Sequence, residues 1–123
     1  MFTVEFYETE DGKRPVETFL DALDIKLRAK TTSMILLLAE KGPLLRKPYT
    51  ESLDEGICEL RVIQGNNIAR VLFFFYLGHR IIITNGFIKK QQKTPRKELE
   101  LAKARRAAFY RREKTRGERN ENN

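Results

Sequence analysis

Three strand-like runs follow one another with little but turn-forming residues between them: ICELRVIQ at 57–64, IARVLFFFYL at 68–77 and RIIITNGFI at 80–88. Gly65-Asn66 and Gly78-His79 stand at the joints, where two-residue hairpin turns favour such residues, so the segment folds as an antiparallel meander. The middle run is apolar at every position after Arg70, which predicts a central strand covered on both faces over much of its length. The rest of the chain must supply that cover.

Phe2 to Tyr7 alternates as a first strand does. Pro15 suits the first position of a helix, and Val16, Phe19, Leu20, Leu23 and Leu27 recur at helical spacing. A second helical stretch, with Met34, Leu37, Leu38 and Lys41 in register, runs to the stop at Gly42-Pro43. A break near Asp24 makes these an antiparallel helix pair. Residues 44–56 read as an irregular loop. Thr94 and Pro95 mark the start of a last helix, as N-cap and first helical position, with Lys97 where Glu or Gln would complete a capping box. Leu99, Ala102 and Phe109, beside Leu101 and Ala108, give this helix a narrow apolar stripe. The expectation is a single α+β domain over residues 1–112, two N-terminal helices packed on a mostly antiparallel four-stranded sheet with a C-terminal helix. The polar segment 113–123 is expected to be a disordered tail.

Charge is unevenly spread: of the 24 Lys and Arg and 17 Asp and Glu, residues 1–56 carry 8 and 11, and residues 57–123 carry 16 and 6. The basic half is where a polyanion would bind, although a solvated cationic surface also serves solubility. The longest apolar runs, 34–39 and 71–77, fall far short of the roughly 20 residues that span a bilayer. No leader is expected at the start, and the single Cys58 suits a reducing cytosol as a buried structural thiol. Only one histidine occurs, His79, about 30 Å along the central strand from Arg70 at ~3.3 Å per residue. No Cys cluster, paired-Asp motif or Gly-rich phosphate loop is present, so no metal site or cofactor is expected.

A hairpin turning about Gly65-Asn66 sets Arg61 directly opposite Arg70, a like-charge pair that costs a sheet up to roughly 1 kcal/mol. Glu59, two residues from Arg61 on the same face, could neutralise one guanidinium, and solvent could screen both. The functional alternative is an anion held between two forks. Turning about Gly78-His79 sets Phe87 opposite Arg70 and Lys89 opposite Ile68. Glu59, Arg61, Arg70, Asn85, Phe87 and Lys89 then share one face, a cationic shelf with an aromatic ring, and Cys58, Leu60, Val62, Val71, Phe73, Phe75, Ile82 and Ile88 share the other. A bulge, which Thr84-Asn85-Gly86 could host, would shift that register. Beyond it, five cations lie between Lys89 and Lys97 without an acid. Cations, a ring for stacking and a helix start describe a site for single-stranded nucleic acid better than a duplex reader.

The order ELRVI, NNIARVLFFF, IIITNGFIKKQQKTPRKELELAKARR resembles the RelE/ParE superfamily of bacterial toxin-antitoxin toxins, in particular its phage-derived HigB-like branch. That resemblance implies a RelE-like fold, cleavage of mRNA on the translating ribosome, growth arrest, a cytoplasmic location and restraint by a cognate antitoxin, expected to be acidic and encoded adjacently. Carried onto this chain, the active surface comprises Arg61, Arg70, Lys89 and Lys90, with Lys93, Thr94 and Arg96 following; Lys97 adds a further phosphate contact. Lys89 and Glu59 are candidate proton acceptors and Lys90 a candidate acid. Asn85 stands where many relatives have His. On this geometry Arg70 is replaceable by Ala without loss of the fold. Two alternatives keep the sequence features without catalysis: a ParE-like toxin that binds a protein such as DNA gyrase, and a module that reads nucleic acid with its basic helix.

Overall fold

A computed structural model describes residues 1–89 and 93–121, so the role expected of Lys90 lies outside the described residues. Five strands form one mixed sheet: β1 (Thr3–Phe6), β2 (Thr50–Asp54), β3 (Ile57–Gln64), β4 (Asn67–Tyr76) and β5 (Arg80–Ile88), in the order β1-β5-β4-β3-β2. β1 lies parallel to β5, and every other pairing is antiparallel. The four-stranded expectation is thus corrected by one strand. β2 was expected to be loop because Thr50-Glu51-Ser52-Leu53-Asp54 has no alternating apolar set; it pairs at the sheet edge with β3 alone, through a bulge.

α1 (Pro15–Ala22) and α2 (Ile25–Lys41) break where expected, because the Asp24 side chain accepts hydrogen bonds from the backbone N–H groups of Lys26 at 3.1 Å and Leu27 at 3.0 Å. At the other end Gly42 takes a positive φ of 54°, and any Cβ there would lie 2.1 Å from the Phe2 ring. Val16, Leu27, Ile35 and Leu38 of this pair pack on Leu60, Val62, Val71, Phe73, Ile81 and Ile83 from one sheet face. A third helix, α3 (Arg96–Glu121), covers the other face, where Ala102, Leu99 and Phe109 meet Ile57, Leu72, Phe74 and Ile82. Two cores on a central sheet explain why β4 is apolar without alternation. None of the described helices is long and apolar enough to cross a membrane.

The β3–β4 register is the expected one, with Arg61 opposite Arg70. β4–β5 reaches the expected register by a different route. Tyr76 pairs with Arg80 across a three-residue loop, one residue off the expected alignment, and a bulge at Thr84 restores it so that Arg70 faces Phe87. Lys89 N–H then bonds Ile68 O at 3.1 Å. Ile82, on the turn side of the bulge, belongs to the α3 face and not to the expected helix-pair face. Ile88 pairs with Ala69 but stays 47% exposed. His79 lies in the turn, its Nδ1 2.9 Å from Leu77 O.

One expectation about α3 is corrected. Pro95 O accepts from Glu98 N–H at 3.1 Å and Leu99 N–H at 3.3 Å, so Pro95 occupies the capping position and the helix starts one residue later. The helix runs past Arg112 to Glu121, with Glu113 and Arg116 one turn apart at 3.9 Å. Much of its positive charge turns inward. Lys103 pairs with Asp54 at 2.9 Å, Arg105 donates to Thr84 O at 2.8 Å, and Arg106 and Arg112 bond the carbonyls of Glu55 and Glu8. Arg105 and Arg112 also lie over the Tyr7 ring.

Candidate functional site

Because side chains alternate along a strand, Glu59 and Arg61 of β3 emerge on the α3 face, and Arg70 of β4 emerges beside them. Glu59 is the hub. Its Oε1 accepts from Arg70 Nη1 at 3.2 Å and from the Thr94 hydroxyl at 2.7 Å, while its Oε2 accepts from Arg61 Nη2 at 3.1 Å. The side chains of Glu59 and Arg70 are each only 1% exposed, and that of Arg61 is 27% exposed. A buried carboxylate and guanidinium hold one another in place, since either alone would be a costly buried charge. The facing arginines are therefore made compatible with the sheet by the acid between them.

Thr94 is drawn into this cluster, its hydroxyl donating to the buried Glu59 carboxylate. Asn85, also buried, ties the same helix down, its Nδ2 donating to Glu98 O at 3.2 Å and Glu98 Oε1 at 3.1 Å. Asn85 thus holds α3 against β5. The start of α3 and its preceding segment are fixed over the end of the sheet by these two contacts.

Arg61 reaches further than its neighbour. The same Nη2 that bonds Glu59 donates to Glu51 Oε2 at 2.9 Å, and Glu51 Oε1 lies 3.4 Å from Lys47 Nζ. Glu51 and Glu59 are cross-strand partners, so one guanidinium nitrogen bridges two facing carboxylates. Burial alone would weaken the charge on Arg61, but hydrogen bonds and attraction from Glu59 and then Glu51 outweigh it and raise its pKa above the ordinary arginine value. Hydrogen bonds from Arg61 and then Lys47 hold the Glu51 carboxyl below its usual range.

These groups line a cleft of about 640 Å³ together with Leu53, Lys93, Thr94 and Leu99. A second hollow of about 430 Å³ shares Lys93, Thr94 and Leu99 with it and adds Arg96. Counting Arg70 beneath the floor, four cations (Lys47, Arg61, Arg70, Lys93) surround two carboxylates (Glu51, Glu59), net +2. Such a cleft can hold an anionic strand, with Arg61 as its most deeply set accessible cation.

The structure brings Glu59, Arg61, Lys93 and Thr94 together and sets Arg96 next to them. It corrects the expectation of an open shelf: Arg70 is buried in an ion pair, not displayed beside Arg61. Glu59 has three donors on its oxygens and almost no exposed surface, a geometry for positioning and not for taking a proton from a substrate. Phe87 is half-buried and packs with the α3-side core instead of standing free. Lys89 and Lys97 do not line the cleft. Lys47 and Glu51 were missed, because their segment read as loop and nothing in its sequence marks Glu51 as the partner of Glu59. Among the described residues no group of three His, Cys, Asp or Glu side chains is placed to hold a metal ion. Cys58 is a half-buried free thiol whose pKa burial raises.

Residues 18–107 match the family described as "Phage derived protein Gp49-like (DUF891)". Two curated relatives, both named "Probable endoribonuclease HigB1" and both from Mycobacterium tuberculosis (strains CDC 1551 / Oshkosh and ATCC 25618 / H37Rv), are each 44% identical over 104 residues, covering 83% of this chain and 80% of theirs.

Proposed function

The chain belongs to the phage-derived Gp49-like family, in the HigB-like branch of the RelE/ParE toxins, and from that premise we propose that it is the toxin of a type II toxin-antitoxin pair that cleaves mRNA on the ribosome. The observation that carries this is Arg61: a guanidinium at the floor of a cleft with Lys47, Lys93 and Thr94 on its walls, braced from below by the buried Glu59–Arg70 pair. The 2′-OH of one nucleotide loses its proton and attacks the adjacent phosphate in line. The new 2′-O–P bond forms as the P–O5′ bond breaks to give a 2′,3′-cyclic phosphate and a protonated 5′-hydroxyl, and Arg61 stabilises the negative charge that builds on the phosphorane oxygens. Lys93, Thr94 and Arg96 bind flanking phosphates. Lys89, which does not line the cleft in the free chain, and Lys90, next in sequence, serve the proton transfers once RNA is bound, and no metal is required. The ribosome supplies orientation by presenting the codon, which suits a cleft whose buried carboxylate, Glu59, is committed to structure. An acidic antitoxin encoded beside the chain competes for the cationic cleft.

Primer extension on translated messages tests this reading after induction in bacteria. Wild type arrests growth and produces discrete cuts, also with purified ribosomes; Arg61→Ala loses the cuts. One observation favours the protein-binding alternative: Arg70 is buried against Glu59, so the fold alone accounts for the facing arginines. Growth arrest with uncut mRNA would select it. Reading of duplexes by α3 draws no such support, because Lys103, Arg105, Arg106 and Arg112 are turned onto the protein.

A further inference from the structure

We propose that Lys47 and Arg61 form a phosphate subsite on the β2 side of the cleft and that Glu51 occupies it in the free protein, so that an RNA phosphate enters by displacing this carboxylate. The inference rests on the ribonuclease reading above and adds a residue that sets its affinity. Glu51 bonds as a bound phosphate would: one oxygen on the Arg61 guanidinium at 2.9 Å, the other 3.4 Å from the Lys47 ammonium. Either anion can set one oxygen on Arg61 Nη2 and a second beside the Lys47 ammonium.

The two carboxylates that Arg61 bridges differ in how readily each could leave. Glu59 is buried and held by three donors, whereas Glu51 is 37% exposed on the sheet's edge strand, its side chain bonded among the described residues by Arg61 and Lys47. Exposed pairs of this kind are weak, and rotating the Glu51 side chain outward breaks no backbone ladder. With Glu51 swung away, Lys47, Arg61 and Lys93 face the cleft with only the buried Glu59 against them, and the like-charge opposition between Glu51 and Glu59 is relieved. Hydrogen bonds from Arg61 and Lys47 keep Glu51 anionic, so it repels phosphate until it moves.

A labelled single-stranded 2′-O-methyl oligonucleotide of ten nucleotides, which lacks the attacking hydroxyl, serves as the probe in anisotropy titrations at fixed salt. Glu51→Gln binds it about fivefold tighter than wild type, and Glu51→Asp, one methylene shorter and certain to keep the edge charge, falls between them. Adding Lys47→Ala to Glu51→Gln removes the gain. Glu51→Gln binding no tighter than wild type, while Arg61→Ala loses affinity, overturns the subsite and leaves the RNA reading standing. Equal binding by wild type and Arg61→Ala overturns the RNA reading and the subsite with it.

Discussion

Replacing Arg70 by Met keeps most of the side chain's volume but leaves the Glu59 carboxylate, 1% exposed, without the buried guanidinium 3.2 Å away. Removing one partner of a buried pair costs about 3–5 kcal/mol, because the remaining charge stays desolvated. Glu59 retains Arg61 at 3.1 Å and Thr94 at 2.7 Å, which places the loss at the low end, about 3 kcal/mol. With a urea m-value of roughly 1.5–2 kcal/mol/M, the midpoint of unfolding falls by about 1.5–2 M. Adding Glu59→Gln removes the stranded charge while keeping an oxygen for Thr94, and the double variant recovers at least ~1 kcal/mol of that loss. Urea titrations followed by circular dichroism give all three values. An Arg70→Met protein within about 1 kcal/mol of wild type, or a double variant no more stable than the single, refutes the buried pair as the brace of the cleft. Arg70 variants consequently lose activity through the fold, whatever their part in chemistry.

Two further outcomes follow from other parts of the molecule. Arg80 bonds Glu5 at 2.6 and 2.9 Å, and those hydrogen bonds, against some burial, lower the Glu5 pKa. A depressed folded-state pKa gives stability that is complete above the unfolded value and lost as pH falls through the folded one, so Glu5→Gln flattens the decline in Tm measured from about pH 5 downward; an unchanged slope contradicts the pairing. Gly86→Ala places a Cβ 2.5 Å from the Phe19 ring. Thermal unfolding should show a loss of about 1–3 kcal/mol from overpacking, and wild-type stability would mean that α1 does not seat against β5.

What the sequence discloses is the local alternation and the turns. Arg61 facing Arg70 follows from Gly65-Asn66 and the run lengths, and Asp24 marks its own helix break. The β4–β5 register at Phe87 is matched through two offsets that cancel, the three-residue turn and the bulge at Thr84. Alternation cannot say which polar face will be roofed, and here the roof is α3 with the segment around Thr94, pinned by Glu59 and Asn85. Burial of Arg70 depends on that long-range placement. β2 escaped notice because an edge strand needs no apolar pattern, and Lys47 and Glu51 escaped with it. Lys103, Arg105, Arg106 and Arg112 of α3 meet Asp54, Thr84, Glu55 and Glu8, partners 21 to 104 residues away in sequence that no local pattern announces.

The central claim is that Arg61, accessible at the cleft floor, stabilises charge during RNA cleavage. Single-turnover cutting of ribosome-bound mRNA by wild type and Arg61→Ala, with each protein first shown to unfold cooperatively in urea, measures that role. Arg61→Ala is expected to cut about 10²–10³-fold more slowly, the cost of removing one preorganised charge-stabilising donor. A folded Arg61→Ala protein that cuts at the wild-type rate contradicts the account.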